Sequence, residues 1–356
     1  MKTLFIGGTW DDNGGKPSKI VQAMSTVLLV GKNTTFMNGG CFSVLEKLLE
    51  NVEEFEEYGL IIWFADVPND KQKIIRQIKA IHPKCLLVTS KRNLDNQYPL
   101  QELIARALQV KSNLFVEITK NGERYKGKVF DPLGNLWGES EDFVQIAEIL
   151  KGRLEQLKVF TRVGSEQMED IVPIPDEQEF FDYAKKVADI FHSLIHGANP
   201  SRFLGNLSFR CERGFPSFRT RDVIYVSQRD IDKRFIDKEG FVAVDPILDN
   251  VVNYYGDKKP SVDAPIQVRL YSYYRRLRWG MHSHVYIKNA PMTSIAIPCG
   301  VVEEFDEILK LFPKSDVENV VVNLRGHGSL AMCSYLGYMK NLQYYARPIP
   351  EPQSLE

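Results

Sequence analysis

Along the first half of the chain, short apolar runs alternate with longer amphipathic stretches. Lys2–Ile6 is a β-rich run that ends at Gly7-Gly8, and Thr26–Val30 is a second one. From Cys41 to Phe55, Val44, Leu45, Leu48, Leu49 and Val52 recur at intervals of three and four, which predicts a helix. Leu60-Ile61-Ile62-Trp63-Phe64 is apolar throughout, the pattern of a strand covered on both faces. Ile74, Ile75, Ile78 and Ile81 mark a helix over Lys71–Ile81 that His82-Pro83 stops. A strand at Cys85–Val88, a helix at Pro99–Val110 and a strand at Leu114–Thr119 follow. Asn121-Gly122 then turns the chain into Tyr125–Phe130, and Asp142–Leu157 reads as a long amphipathic helix. This alternation predicts an α/β domain over residues 1–160, a Rossmann-like parallel sheet with helices on both faces.

The pattern breaks between Val163 and Glu179, where Gly164, Ser165, several acidic residues and Pro173-Ile174-Pro175 read as a linker, set at 161–178. Residues 179–350 are patterned differently. An amphipathic helix, Phe180–His196, precedes short strand-like runs at Leu207–Arg210, Val223–Ser227, Phe241–Val244, Met281–Ile287, Thr293–Ile297 and Val320–Leu324. Helices are expected at Pro265–Arg276, Val302–Phe312 and Gly328–Leu342. The second half is therefore a mixed α and β domain rather than a βαβ series.

Length agrees with two domains, since 356 residues exceed the roughly 250–300 that one core supports. Forty-five Lys and Arg against 46 Asp and Glu leave a net charge of -1. With no basic excess, a general electrostatic grip on nucleic acid or an anionic membrane is not expected. The five cysteines (Cys41, Cys85, Cys211, Cys299 and Cys333) are odd in number and contain no C-x-x-C pair. They suit free thiols in a reducing cytosol, so a cytoplasmic location is expected. The apolar runs are strand-sized, too short to span a bilayer, and the first is too short for a signal peptide.

Candidate chemistry gathers in the second half. His282-Ser283-His284 falls in a strand-like run, where alternate residues share a face, so the two imidazoles point the same way. His327 follows the run Val320–Leu324, with Gly326 and Gly328 on either side allowing a sharp turn and a close approach. Asp263 precedes a predicted helix. Three histidines and a carboxylate suit a borderline metal such as zinc. By spacing alone, H-x-H reads equally well as a structural pair on a strand.

The order of these motifs is more informative than any one of them. Gly205-Asn206-Leu207-Ser208, Ser227, Lys259-Pro260-Ser261-Val262-Asp263, His282-Ser283-His284 and Gly326-His327-Gly328 succeed one another between about 180 and 345. This series resembles the class II aldolase/adducin family, which includes fuculose-phosphate aldolase and ribulose-phosphate 4-epimerase. The resemblance implies an α/β/α domain with a mixed, largely antiparallel sheet. It implies that His282, His284 and His327 hold a divalent metal, usually zinc, and that Asp263 is a ligand, a catalytic acid/base, or both. It places Gly205, Asn206, Ser227 and Ser261 in a substrate-phosphate cradle. Gln228 and Val262 replace residues usual in that cradle, and Arg229 could supply a charge-assisted contact to phosphate or carboxylate. The implied activity is that of a zinc-dependent aldolase, with epimerase and dehydratase as alternatives. The substrate would be a sugar phosphate or sugar acid, reacting through a metal-stabilised enediolate. The resemblance further implies a homo-oligomer, a tetramer in the family.

The alternatives are a non-catalytic, adducin-like interaction module, and a nucleotide- or sugar-binding protein acting through the first domain. For the latter, Gly7, Gly8, Gly14, Gly15 and Lys16 surround the exit of the first strand, and Gly39-Gly40 precede a helix. These segments fit neither the Walker A pattern nor G-x-G-x-x-G, and both also read as plain turns. His192 and His196 have i, i+4 spacing without the Glu of H-E-x-x-H and read as helix-face residues. Arg269, Arg275, Arg276 and Arg278, interleaved with Tyr271, Tyr273 and Tyr274, read as a helix face or subunit contact. No role is assigned to Tyr335, Tyr338, Tyr344 or Tyr345 as a second acid.

Overall fold

The computed structural model describes residues 2–7, 26–27, 34–38, 58–64, 73, 76–77, 86–195, 204–212, 222–248 and 251–355. The chain divides into two compact units, Met1–Val159 together with Ile349–Glu356, and Phe160–Pro348.

The first unit is built on an eight-stranded sheet. Its parallel part comprises β1 (Lys2–Gly7), β2 (Thr34–Asn38), β3 (Tyr58–Phe64), β4 (Leu86–Arg92) and β5 (Leu114–Asn121), in the order β2-β1-β3-β4-β5. Leu60, Ile61 and Ile62 are all buried, as a strand covered on both faces requires. The sheet continues antiparallel through β6 (Arg124–Phe130) and β7 (Asn135–Ser140), with Gly122 at φ 60° in the first hairpin turn. Helix α1 (Leu100–Gln109) packs Leu103 and Ala107 against Phe115 and Phe130, whose rings stack at 5.2 Å. Helix α2 (Phe143–Val159) lies on the other face, with Ile146 over Gly127 and Arg153 over the Trp137 ring.

One expectation for this unit changes. Thr26 and Val27 are helical, and the strand beside β1 is Thr34–Asn38 instead. Their β-branched side chains carry only a weak preference, which pairing elsewhere overrides. Of the helix expected at Lys71–Ile81, Lys73, Arg76 and Gln77 are helical and the rest lies outside the described residues, as does Cys41–Phe55.

The second unit is a sheet sandwiched between helices. Its strands are β8 (Gly164–Met168), β9 (Asn206–Glu212), β10 (Asp222–Ser227), β11 (Phe241–Val244), β12 (Val251–Tyr255), β13 (Trp279–Ser283), β15 (Asn319–Leu324) and β16 (Gly328–Cys333). They lie in the order β15-β16-β13-β9-β10-β11-β12-β8, antiparallel except for the β12–β8 pair. The alternation of strand side chains sorts two cores. Phe209, Val223, Tyr225 and Phe241 meet Phe180, Phe181 and Ala184 of α3 (Gln178–Leu194). Ile224, Val226 and Val244 meet Ile266 and Leu270 of α4 (Ala264–Tyr273) and Ile308 of α5 (Glu303–Leu311). A two-stranded sheet joins β14 (Tyr286–Ile287) and β17 (Tyr344–Tyr345).

Several boundaries are corrected. The segment 161–178, expected as a linker, contains β8, and the units divide at Val159 and Phe160. Its polar composition reads as loop, but an edge strand tolerates outward-facing polar side chains. Gly328–Leu342, expected as a helix, is strand β16 followed by the short α6 (Leu336–Met339). Gly-Ser-Leu-Ala-Met-Cys is buried at every position between β13 and β15, so central sheet pairing outweighs its helical formers. Met281–Ile287 is broken into β13 and β14, and Thr293–Ile297 is irregular. Near the end of the chain, β18 (Glu351–Pro352) pairs with β7 in the first unit.

Candidate metal centre

The centre is assembled where β13 ends. His282 lies on that strand opposite Asn206 of β9 and Leu330 of β16. His284 follows two residues later, in the bend between β13 and β14. His327 sits in the tight turn from β15 to β16, where Gly326 adopts φ 66°. This turn presses so closely on the bend that a Cβ at Gly328 would overlap the Ser283 carbonyl oxygen and stand 2.7 Å from the His284 Cα. Glycine at 328 is thus a packing requirement. Tyr286 helps hold the turn, its hydroxyl accepting the Gly326 N–H at 2.9 Å.

The three imidazoles converge. Ring centroids are separated by 4.6 Å for His282–His327, 5.1 Å for His284–His327 and 5.3 Å for His282–His284. One nitrogen from each lies within 4.8 Å of the others, so the triad could hold a metal ion. The remaining ring nitrogens show how. His282 Nδ1 contacts the Ser329 carbonyl at 2.9 Å. A carbonyl only accepts, so Nδ1 carries the proton and Nε2 presents its lone pair to the cluster. That Nε2 is buried and has no hydrogen-bond partner. A buried polar atom without a partner is costly, and a bound cation satisfies it. His327 Nδ1 meets the Glu304 carboxylate at 2.8 Å, leaving Nε2 to face the centre. A carboxylate behind a histidine fixes the ring and makes the opposite nitrogen a better ligand.

Protonation follows from the surroundings. Burial, reinforced by repulsion from His327, pushes His282 down to about 4. His284 falls well below the usual histidine range through burial and its two histidine neighbours. Both are neutral at neutral pH, as metal ligands must be. For His327, burial opposes protonation, but the Cys299 sulfur and Glu304 prevail and raise its pKa well above normal. Burial raises Glu304 in turn.

Asp263 precedes α4 and stands beside the triad, with Oδ2 3.9 Å from His282 Nε2. Its carboxylate is held on both oxygens, by the Asn206 amide at 2.9 Å and the Gly300 N–H at 2.8 Å. Gln267 donates to Asn206 Oδ1 and fixes the amide's orientation. Ser227 and Ser261 are adjacent through a backbone bond of 3.1 Å. The Ser227 hydroxyl is fully buried and accepts the Leu207 N–H at 3.1 Å, and the Ser261 hydroxyl accepts from the Asp263 N–H at 3.4 Å. Gly205, at φ 83°, lies against the His282 carbonyl. The structure therefore brings together Gly205, Asn206, Asp263 and the three histidines, with Ser227 and Ser261 alongside.

Arg229 is different, for it is exposed in the turn after β10. Two cations near the centre come from the next helical turn, and the buried Arg347 also acts on His284. Lys233 and Arg234 line a pocket with Asn206, Asp232, Met281 and His282. Lys233 is only 8% exposed, and burial lowers its pKa to about 8 against the pull of Asp230, Asp232 and Asp263. Sequence spacing missed Lys233, Glu304, Gln267 and Cys299. Glu304 lies within a run of acidic residues at a helix start, which ordinarily reads as a favourable helix end. Of the N-terminal glycine loops, Gly7 closes β1, and Gly8, Gly14, Gly15, Lys16, Gly39 and Gly40 lie outside the described residues, as does His196.

No family model and no curated protein sequence matches the chain. Solved structures do. The chain is similar to the N-terminal class II aldolase domain of a conserved protein from Thermoplasma acidophilum, with 17% identity, 47% of this chain and 90% of that one covered, and a TM-score of 0.31. It is similar to l-fuculose-1-phosphate aldolase from Thermus thermophilus, with 16% identity, coverages of 44% and 79%, and a TM-score of 0.29. A third is the DNA/pantothenate metabolism flavoprotein from Streptococcus pneumoniae, with 13% identity, coverages of 44% and 98%, and a TM-score of 0.34. Class II aldolase family members are thus among the structures this chain resembles. Among the described residues, no helix is long and apolar enough to cross a membrane.

Proposed function

We propose that the second unit is a metal-dependent lyase or epimerase acting on a phosphorylated or acidic sugar, with zinc as its ion. The observation that carries this reading is the convergence of three buried imidazoles, one with an unpartnered Nε2, beside a carboxylate 3.9 Å away. An ion held by His282, His284 and His327 would supply a Lewis acid for a carbonyl and for negative charge developing on the adjacent carbon. Neutral imidazoles, His327 among them once the ion displaces its Nε2 proton, leave such an ion most of its charge.

The chain's own residues account for the remaining requirements. Asp263, oriented by Asn206 and Gly300, moves a proton at Oδ2 next to the reacting carbon. Lys233 places a buried positive charge in the pocket wall shared with His282, where it holds the anionic tail of the substrate. Ser261 supplies a hydroxyl to the same cradle, in place of the exposed Arg229. A non-catalytic module would have no need for the full ligand set. By resemblance to the family, we take the protein to be a homo-oligomer, and from its unpaired cysteines a cytoplasmic one.

Metal analysis of the purified full chain is the direct test. About one equivalent of divalent metal per chain is expected, lost in a His282→Ala, His284→Ala double variant that still folds. Absence of metal after equilibration with zinc, or unchanged binding in the double variant, would overturn the reading.

A further inference from the structure

We propose that Arg347 forms a second anion site at this centre, so that the substrate carries two negative groups, one held by Lys233 and the other by Arg347. The inference rests on the sugar chemistry proposed above and narrows its substrate to a phosphorylated sugar acid.

The two cations reach the triad from different elements. Lys233 opens a short 3-10 turn, Lys233–Phe235, and lines the pocket bordered by Asn206, Met281 and His282. Arg234 lines it too, but its guanidinium is committed to Asp232, with bonds of 3.0 Å from Nε and 2.7 Å from Nη2. Arg347 comes from the end of the second unit and lies outside that pocket wall. Its place follows from strand register. Antiparallel pairing sets Tyr345 against Tyr286 and Tyr344 against Ile287. The Lys288 N–H continues that register, donating to the Gln343 carbonyl at 2.8 Å. Two residues in the other direction, the same register brings Arg347 alongside His284, on the side of the ladder that Tyr345 takes. The rings of Tyr286 and Tyr345 are 5.8 Å apart, and the Tyr286 hydroxyl accepts from Gly326 beside His327. The segment that carries Arg347 is thus packed on the turn that builds the centre.

Both side chains are buried, Arg347 at 7% exposure and Lys233 at 8%. Both charges are felt at His284, which they help to keep neutral, and Lys233 also acts on His282. Lys233 therefore approaches from the side of His282, and Arg347 from the side of His284. Positive charge on both flanks of a cation site opposes the ion unless negative charge answers it. A substrate that meets the ion through its carbonyl and sends an anionic group to each flank supplies that charge, whereas a substrate with one anionic group engages only one of the two cations. The chemistry of the cations allots the groups. A guanidinium is a planar fork that meets a carboxylate in two parallel bonds, and an ammonium is a compact point charge suited to the phosphate of the tail.

Three four-carbon probes separate the two groups. 4-Phosphoerythronate carries a carboxylate and a phosphate, erythronate the carboxylate alone, and erythritol 4-phosphate the phosphate alone. Titration calorimetry on the zinc-loaded full chain, with zinc content measured on the same sample, gives their affinities. 4-Phosphoerythronate is expected to bind at least about tenfold tighter than either single-anion probe. Arg347→Met is expected to lower its affinity to that of erythritol 4-phosphate while leaving erythritol 4-phosphate itself unchanged. Lys233→Met is expected to lower it to that of erythronate. In protein that holds zinc, 4-phosphoerythronate binding no tighter than erythritol 4-phosphate would overturn the second anion site and leave the metal reading standing. An Arg347→Met variant that weakens both phosphates equally would overturn it as well, since that is the mark of a structural role. Protein that takes up no zinc would overturn the metal reading and this inference with it. The three probes on the unmutated chain decide the matter even where a variant fails to fold.

Discussion

Lys233 shows most clearly what the centre demands of single residues. Burying a lysine is costly, and here burial brings its pKa down to about 8. Below that pH the ammonium is charged and can hold an anionic substrate group, and above it the amine is neutral and cannot. Substrate affinity is therefore expected to fall as pH rises through about 8, seen as a rise in KM with little change in kcat. Lys233→Met should show the high KM at every pH, and Lys233→Arg should keep the low KM past pH 8. A KM that stays flat from neutral pH to above 8 would remove Lys233 from the substrate site. The histidines have the opposite design, with His282 and His284 kept neutral by burial so that their lone pairs are free at neutral pH.

At the level of elements, the centre depends on two hairpin ends meeting, and Asn323 joins them. Its side chain accepts the Ile287 N–H at 2.8 Å and donates to the Ile287 carbonyl at 2.9 Å, tying β14 to β15. Tyr286, one residue earlier, then accepts from the turn that carries His327. Asn323→Ala leaves the Ile287 N–H without its side-chain acceptor, while the carbonyl keeps the Ala290 N–H at 3.3 Å, and should cost about 2 kcal/mol of stability by denaturant titration. Metal affinity should weaken with it, and a stable variant with unchanged affinity would show that the turn holds itself. Such links explain what was legible in the sequence. Strict apolar runs such as Leu60–Phe64 and Val320–Val322 announced strands, and H-x-H with a glycine-flanked histidine announced the candidate metal site. The strand Gly328–Cys333 was hidden, because its identity is fixed by neighbours on both sides rather than by period. Likewise β8 was hidden by the polar side chains an edge permits. Cys299, Glu304 and Lys233 lie far along the chain from the residues they meet, so spacing carried no trace of them.

Across the whole molecule, two units of different construction share one chain. The first has a mostly parallel sheet to which the chain returns at the end to add β18. The second has a largely antiparallel sheet with an aromatic core on one face and an aliphatic-rich core on the other. The candidate centre lies entirely within the second unit, and each of its contacts joins residues between Gly205 and Ser329. Aldol cleavage, epimerisation and dehydration of a sugar acid or phosphate all draw electron density onto a metal-polarised carbonyl, so one measurement reaches all three. Proton NMR in D2O can follow exchange of the hydrogen next to the carbonyl in a phosphorylated hydroxyketone such as dihydroxyacetone phosphate. The expected result with the zinc-loaded chain is exchange at a single prochiral hydrogen, abolished by chelation and by the His282→Ala, His284→Ala double variant. Exchange that persists unchanged after the metal is removed, or none across a panel of sugar phosphates and sugar acids with metal bound, would contradict metal-assisted enediolate chemistry at this centre.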